Sequence, residues 1–178
     1  MPKTRSELDR ETKEAEILGA AERQLRSGGY EALSLAAIAR ELGVAQNAVY
    51  WYFPSKDHLF VAGLERMVRT IVAEKPRRRA LEGKVLYFAD QLEELAEVRA
   101  AMYERARSSK VVAEFVRNLD LTWRRMLAGA LSSHVPEEEL PIAVDTLIAT
   151  IQGTLLQGLS AKERKRVIGF ALERLTTN

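Results

Sequence analysis

The chain of 178 residues contains no cysteine. That excludes disulfides, cysteine-based zinc sites, iron–sulfur clusters and a thiol nucleophile. Histidine is almost as scarce. His58 and His134 stand far apart, which argues against a histidine-rich metal site. Five prolines and ten glycines are too few for a collagen-like or linker-like composition. No basic stretch followed by an apolar run opens the chain, so no signal peptide is read and a cytoplasmic location is expected. A large charge of either sign is also missing: 27 Lys and Arg face 25 Asp and Glu, a net charge of +2. Taken alone, that balance gives no hint of a nucleic-acid partner.

What is present is a hydrophobic content of 47%, enough for a real core in one domain or two small ones. Residues 1–79 hold 14 Lys and Arg against 11 Asp and Glu, a weak positive bias. The one dense basic cluster is Lys75-Pro76-Arg77-Arg78-Arg79. It reads either as a solvated linker or as a patch that attracts phosphate.

Helical periodicity dominates, and strand-like alternation is nearly absent. The expected fold is therefore all-α. A first helix is predicted from Ser6, with Asp9 as capping partner, to Arg26, and Gly28-Gly29 stops it. A second follows Ser34, a good N-cap, and is broken by Gly43. A short third spans Ala45–Phe53. A fourth runs from Lys56 to Glu74 behind Ser55. Beyond Pro76, helices are predicted at 81–96, 97–107, 111–132, 140–159 and after Ser160, whose spacing to Glu163 makes a capping box. Segment 140–159 is long enough to span a membrane. Asp145 near its centre would cost about 2.5–3.5 kcal/mol on insertion scales, so a helix buried on two sides is the simpler reading.

The stretch from Gly29 to Lys56 carries the chemistry. A capped helix, a glycine turn and a short second helix make a helix-turn-helix, suited to bracing one helix against a major groove. The second helix opens with Gln46 and Asn47, whose amides can pair bidentately with adenine. Lys56, at the start of the next helix, can hold a phosphate together with that helix's free N–H groups.

These residues resemble the TetR family of bacterial transcriptional regulators. The resemblance lies in Gly29-Tyr30, Ser34, Ile38-Ala39, Leu42-Gly43-Val44, Val49-Tyr50 and the run Tyr52-Phe53-Pro54-Ser55-Lys56-Asp57. It covers about residues 10–60, and the aromatic run followed by Ser-Lys makes it specific. It implies an all-helical homodimer that binds a double-stranded DNA operator and a small-molecule effector, with no membrane, cofactor, metal or catalytic residue involved. The implied division is a DNA-binding domain at 1–54, a connecting helix at 55–76 and an effector-binding and dimerisation domain at 77–178.

Carried over by position, Ser34 would cap its helix and touch a phosphate. Gln46, Asn47 and Ala48 would face base edges. Tyr50 and Tyr52 would reach the backbone, and Lys56 would hold a phosphate. Trp51 stays open between packing and backbone contact, and Val49 and Phe53 would be core. The sequence departs from the family at Ala45, where Ser or Thr is common, which forgoes a cap of about 1 kcal/mol.

In the C-terminal part, Tyr87, Phe88, Met102, Tyr103, Phe115, Trp123, Met126, Thr150 and Gln152 are candidates for an effector pocket, although core packing explains each of them too. Thr150 and Gln152 stand out because an unpaired hydroxyl or amide in an apolar helix costs about 1–3 kcal/mol. The last two helices read as a dimer interface built on Leu147, Ile151, Gly153, Leu155, Gly158, Ile168, Leu172 and Leu175, the glycines allowing close approach of backbones. Two other readings stay open. One is a helix-turn-helix regulator controlled by a protein partner or by no ligand. The other is an enzyme using Asp90, Glu93, Glu94 and Glu97, whose simpler reading is a solvated helix face.

Overall fold

A computed structural model describes residues 5–74 and 80–177, with side chains from residue 9 onward. The side chain of Ser6 and the basic cluster at 75–79 lie outside the described residues. Those residues form nine helices and no strand. In chain order they are α1 (Arg5–Ala32), α2 (Leu35–Glu41), α3 (Gln46–Tyr52), α4 (Lys56–Glu74), α5 (Leu81–Glu94), α6 (Ala96–Ala106), α7 (Lys110–Leu131), α8 (Leu140–Leu156) and α9 (Ala161–Thr176).

The chain packs as two units. One comprises residues 1–73 and 95–116, the other residues 74–94 and 117–178. Packing thus crosses the sequence segments 1–54, 55–76 and 77–178, because α6 and the first residues of α7 join the N-terminal helices. In the first unit α6 packs along α1, and α2 packs on both α1 and α3. Its core is built from Ile17 and Leu25 of α1, Ile38 of α2, Val49 of α3, and Leu59, Phe60 and Met67 of α4, all essentially inaccessible. Apolar residues at helical spacing on each element supply these faces.

Local signals set most helix ends. Ser34 Oγ accepts from the Ala37 backbone N–H at 3.2 Å and starts α2. Ser55 Oγ accepts from His58 N–H at 3.3 Å and starts α4. The Ser160–Glu163 capping box forms as the sequence predicts. The first helix differs from expectation. Helical turns continue to Ala32, but with a break at Gly28 and Gly29, where φ is 61° at Gly29. Tyr30 to Ala32 is therefore a separate short turn after the break.

In the second unit α5, α8, α9 and the rest of α7 share one core, including Val85, Ala89, Leu131, Leu147 and Ile168. α8 is 17 residues long and ends three residues before the predicted boundary. No helix among the described residues is long and apolar enough to cross a membrane. Gly158 ends α8. Its N–H donates to Leu155 C=O and that of Leu159 to Thr154 C=O, the pair of bonds that needs a left-handed residue at this point. With φ at 64°, Gly158 serves as the terminator of α8.

Candidate nucleic-acid interface

The turn between α2 and α3 is built like the end of α8. Gly43 has φ 64°, Gly43 N–H donates to Arg40 C=O and Val44 N–H to Ala39 C=O. The glycine lets the chain turn within the four residues 42–45, so α3 follows α2 closely and packs on it. α3 itself begins without a side-chain cap: Ala45 occupies the N-cap position and no side chain accepts from the first turn.

Packing fixes how α3 is rotated. Val49 is fully buried and Phe53 is 6% exposed, so these two form the inner stripe, one turn apart. Gln46, Asn47, Ala48, Tyr50 and Trp51 are exposed, and Tyr52 is half-buried. Trp51 is 65% exposed and stands roughly half a turn away from Val49. It touches Tyr52 edge to face at 4.9 Å, and the Arg10 guanidinium lies over its ring at 4.9 Å. The alternative left open by the sequence is thereby decided: Trp51 does not pack in the core.

A polar cluster joins α1, α4 and α6. Tyr30 follows the break in α1, Asp57 sits in the first turn of α4, and Arg105 in the last turn of α6. The Tyr30 hydroxyl donates to Asp57 Oδ1 at 2.6 Å. Arg105 donates from Nη2 to Asp57 Oδ2 at 2.9 Å and from Nε to Oδ1 at 3.3 Å. Burial disfavours the charged carboxylate, but hydrogen bonds from Arg105, Tyr30 and Ser109 outweigh it and hold Asp57 down at about 2. Burial and the bond to Asp57 push the Tyr30 hydroxyl up to about 12. The Tyr30 ring meets Phe60 edge to face and carries Lys56 Nζ at 4.3 Å and the Arg105 guanidinium at 5.2 Å. Lys56 is thus held over an aromatic face at the start of a long helix. Of this cluster the sequence pattern singled out Tyr30, Lys56 and Asp57. It missed Arg105, whose 48-residue distance from Asp57 leaves no local signal.

The expected effector residues divide between the two units. Met102 and Phe115 are buried in the first unit and Tyr103 is exposed there. In the second unit Tyr87, Phe88 and Trp123 form a run of edge contacts at 5.4 and 5.3 Å, all three half-buried, and Met126 is half-buried in the same unit. Thr150 and Gln152 lose the reason for which they were singled out. Thr150 Oγ1 donates to Thr146 C=O at 2.8 Å, and Gln152 is exposed to water.

The expected dimer residues also need correction. Leu147, Ile151, Ile168 and Leu172 are 5% exposed or less and lie inside their own unit's core. Leu155 and Leu175 pack against that core, and a side chain at Gly153 would meet nothing within 4 Å. The large apolar residues that α8 and α9 leave in water are Ile142, Leu156, Val167 and Phe170. A helix that reads as apolar all round does not say which stripe its own chain covers.

The carboxylates on α5 are not all a solvated face. Arg164 of α9, 1% exposed, bonds Asp90 at 3.2 Å and Glu93 as well as the Leu159 carbonyl. Glu93 is held below the usual carboxylate range chiefly by that hydrogen bond. Among the described residues no group of His, Asp and Glu is arranged to hold a metal ion. His58 and His134 are exposed and lie beside Ser55 and Ser133.

Comparison with known proteins agrees with this geometry. A family model described as bacterial regulatory proteins of the tetR family matches residues 17–62. A transcriptional repressor of Rhodococcus jostii, KstR, is 32% identical over 146 residues, which cover 76% of this chain. The chain spans 66% of that relative's length, just under two thirds. Among solved structures, a transcriptional regulator of Rhodococcus superposes with a TM-score of 0.72 at 22% identity, covering 90% of this chain and 94% of that one. A regulator of Saccharomonospora viridis, solved in complex with choline, gives 0.71 at 18% identity, covering 92% and 96%. The helix-turn-helix segment at residues 17–62 is thus that of the tetR family of bacterial regulatory proteins.

Proposed function

We propose that this protein is a sequence-specific transcriptional repressor. It holds a pseudo-palindromic operator in double-stranded DNA as a homodimer and leaves it when a small, apolar effector binds. The observation that carries the reading is the rotation of α3: Gln46 and Asn47 are exposed at its start while Val49 and Phe53 are buried. Two amide side chains at the leading end of an exposed helix match what major-groove readout requires. Ser34 and Lys56, each at the start of a helix, are the proposed phosphate contacts, with the Tyr50 and Tyr52 hydroxyls beside them. Residues 1–54 would form the DNA-binding part, 55–76 the connecting helix, and 77–178 the part that dimerises and binds effector.

For the dimer we propose the outward stripes of α8 and α9. Ile142, Ala149 and Leu156 recur at every seventh residue and are exposed, and Val167 and Phe170 continue an exposed apolar face on α9. Leu156 is 90% exposed, a large apolar side chain that a second copy would cover. A twofold dimer of this kind sets its two recognition helices about 34–36 Å apart, in successive major grooves. For the effector, the run Tyr87, Phe88 and Trp123 offers an apolar wall. That a protein of the same fold was solved with choline agrees with a small ligand in this architecture. The effector acts only through different affinities for the bound and released states.

Selection of binding sites from random DNA tests the reading. A half-palindrome repeated with twofold symmetry is the expected result. Changing Gln46, Asn47 and Tyr52 together to Ala should abolish the preference for that sequence, and unchanged binding would overturn the reading. Sedimentation of the Leu156→Glu/Phe170→Glu variant should give a monomer where the unaltered protein gives a dimer.

A further inference from the structure

Several cations of α1 are neutralised by carboxylates. Lys13 is paired with Glu16, Arg23 with Glu41, and Arg26 with Glu22. Arg10 is placed differently. Its guanidinium lies over the indole of Trp51, 4.9 Å from the ring centroid, and both side chains are exposed. An exposed tryptophan in the last turn of a seven-residue helix is costly in water and fills no core. Its partner suggests what it is for.

The geometry points to Arg10 as a further phosphate contact and to Trp51 as the residue that positions it. This inference rests on the DNA-binding reading of α3. A recognition helix enters the major groove with its N-terminal residues nearest the bases, so its last turn lies toward the groove rim. The groove is about 12 Å wide and a helix with side chains is about 10–12 Å across, so the rim phosphates lie close to the helix flanks. Trp51 belongs to that last turn, one turn after Asn47 on the same stripe. A guanidinium stacked on an aromatic face keeps its N–H edge free, the edge that bonds phosphate bidentately. The stack therefore carries a charge from α1 to the border of the surface that reads bases. It fixes one rotamer of a flexible side chain before DNA arrives, which lowers the ordering cost of binding.

The contact supplies a charge that α3 lacks. The exposed residues of α3 itself are all uncharged. A cation delivered from α1 supplies the long-range attraction that amides and hydroxyls lack.

The test is anisotropy titration of the full chain on its selected duplex over a range of salt concentrations. Each phosphate contact adds about 0.9 to the slope of log affinity against log salt, so a dimer losing two should fall by about 1.8. Arg10→Ala should weaken binding and lower the slope by about 1.8, while Arg10→Lys keeps most of the slope. Trp51→Phe should behave as the unaltered protein, and Trp51→Ala should reproduce the slope of Arg10→Ala. The double variant should be no weaker than the weaker single one. An Arg10→Ala slope equal to that of the unaltered protein overturns the contact, whether or not affinity changes. Additive losses in the double variant overturn the positioning role. If the unaltered protein selects no duplex, the DNA-binding reading itself fails and this one with it; a change confined to the slopes separates the two. Thermal melts check that each variant is folded, as exposure of both side chains leads one to expect.

Discussion

Arg105 and Asp57, 48 residues apart, are joined by two hydrogen bonds, of 2.9 and 3.3 Å, and Tyr30 donates to the same carboxylate at 2.6 Å. The last turn of α6 is thereby tied to the first turn of α4 and to the turn that follows the break in α1. The Asp57 side chain is only 16% exposed, so the pair is screened far less than a surface one.

Asp57→Asn should destabilise the folded chain at neutral pH by about 2 kcal/mol, the equivalent of lowering the carboxyl from 3.8 to about 2. The sign follows from the direction of the shift. A carboxyl depressed by folding contributes stability above its unfolded value, near pH 4, and that contribution is lost as pH falls toward 2. Urea midpoints of the two proteins should therefore differ at pH 7 and converge in acid. Tyr30, raised from 10.0 to about 12, acts at the other end: its contribution is complete below pH 10 and lost toward pH 12. Tyr30→Phe should remove that alkaline decline.

Ala45→Ser should stabilise the protein by about 1 kcal/mol. The backbone at Ala45 already has the extended N-cap conformation, φ −63° and ψ 142°, and only the hydroxyl is missing. A higher melting temperature is the expected result. No gain would mean that the first turn of α3 is already satisfied by water.

Gly43→Ala should cost about 1 kcal/mol, from backbone strain alone. An added Cβ would meet no atom within 4 Å, so sterics with neighbours contribute nothing. The cost comes from φ at 64°, where an L side chain crowds its own backbone. Gly43→Asn should cost clearly less, since Asn tolerates the left-handed region. Thermal denaturation of the pair against the unaltered chain measures both.

Arg164 predicts an asymmetry between two ways of breaking one cluster. Asp90→Asn/Glu93→Gln leaves a buried guanidinium without a charged partner and should cost about 3 kcal/mol. Arg164→Met should cost less. It fills the same space with apolar atoms, and the carboxylates left behind are half exposed, at 56% and 51%. It also removes Arg164 Nε, a buried donor that has no acceptor among the described residues. Equal losses in the two variants would argue against a desolvated cation.

The order of these effects reflects what a sequence encodes locally. The periodic faces of α4, α7 and α9, the caps at Ser34, Ser55 and Ser160, and the glycine turn at Gly43 are short-range features. Each depends on residues within about one turn of each other, so spacing alone placed them. On the helix-turn-helix face the family resemblance, not spacing alone, assigns Val49 and Phe53 to the core, and both are buried. Tertiary structure decided what lies beyond that range. It set Arg105 against Asp57, buried Arg164 against α5, and laid Arg10 over Trp51. It also chose which stripe of α8 is covered, closing Leu147 and Ile151 inside and leaving Ile142 and Leu156 in water. An apolar helix has several faces of nearly equal burial free energy, and only the neighbours that pack against it select one.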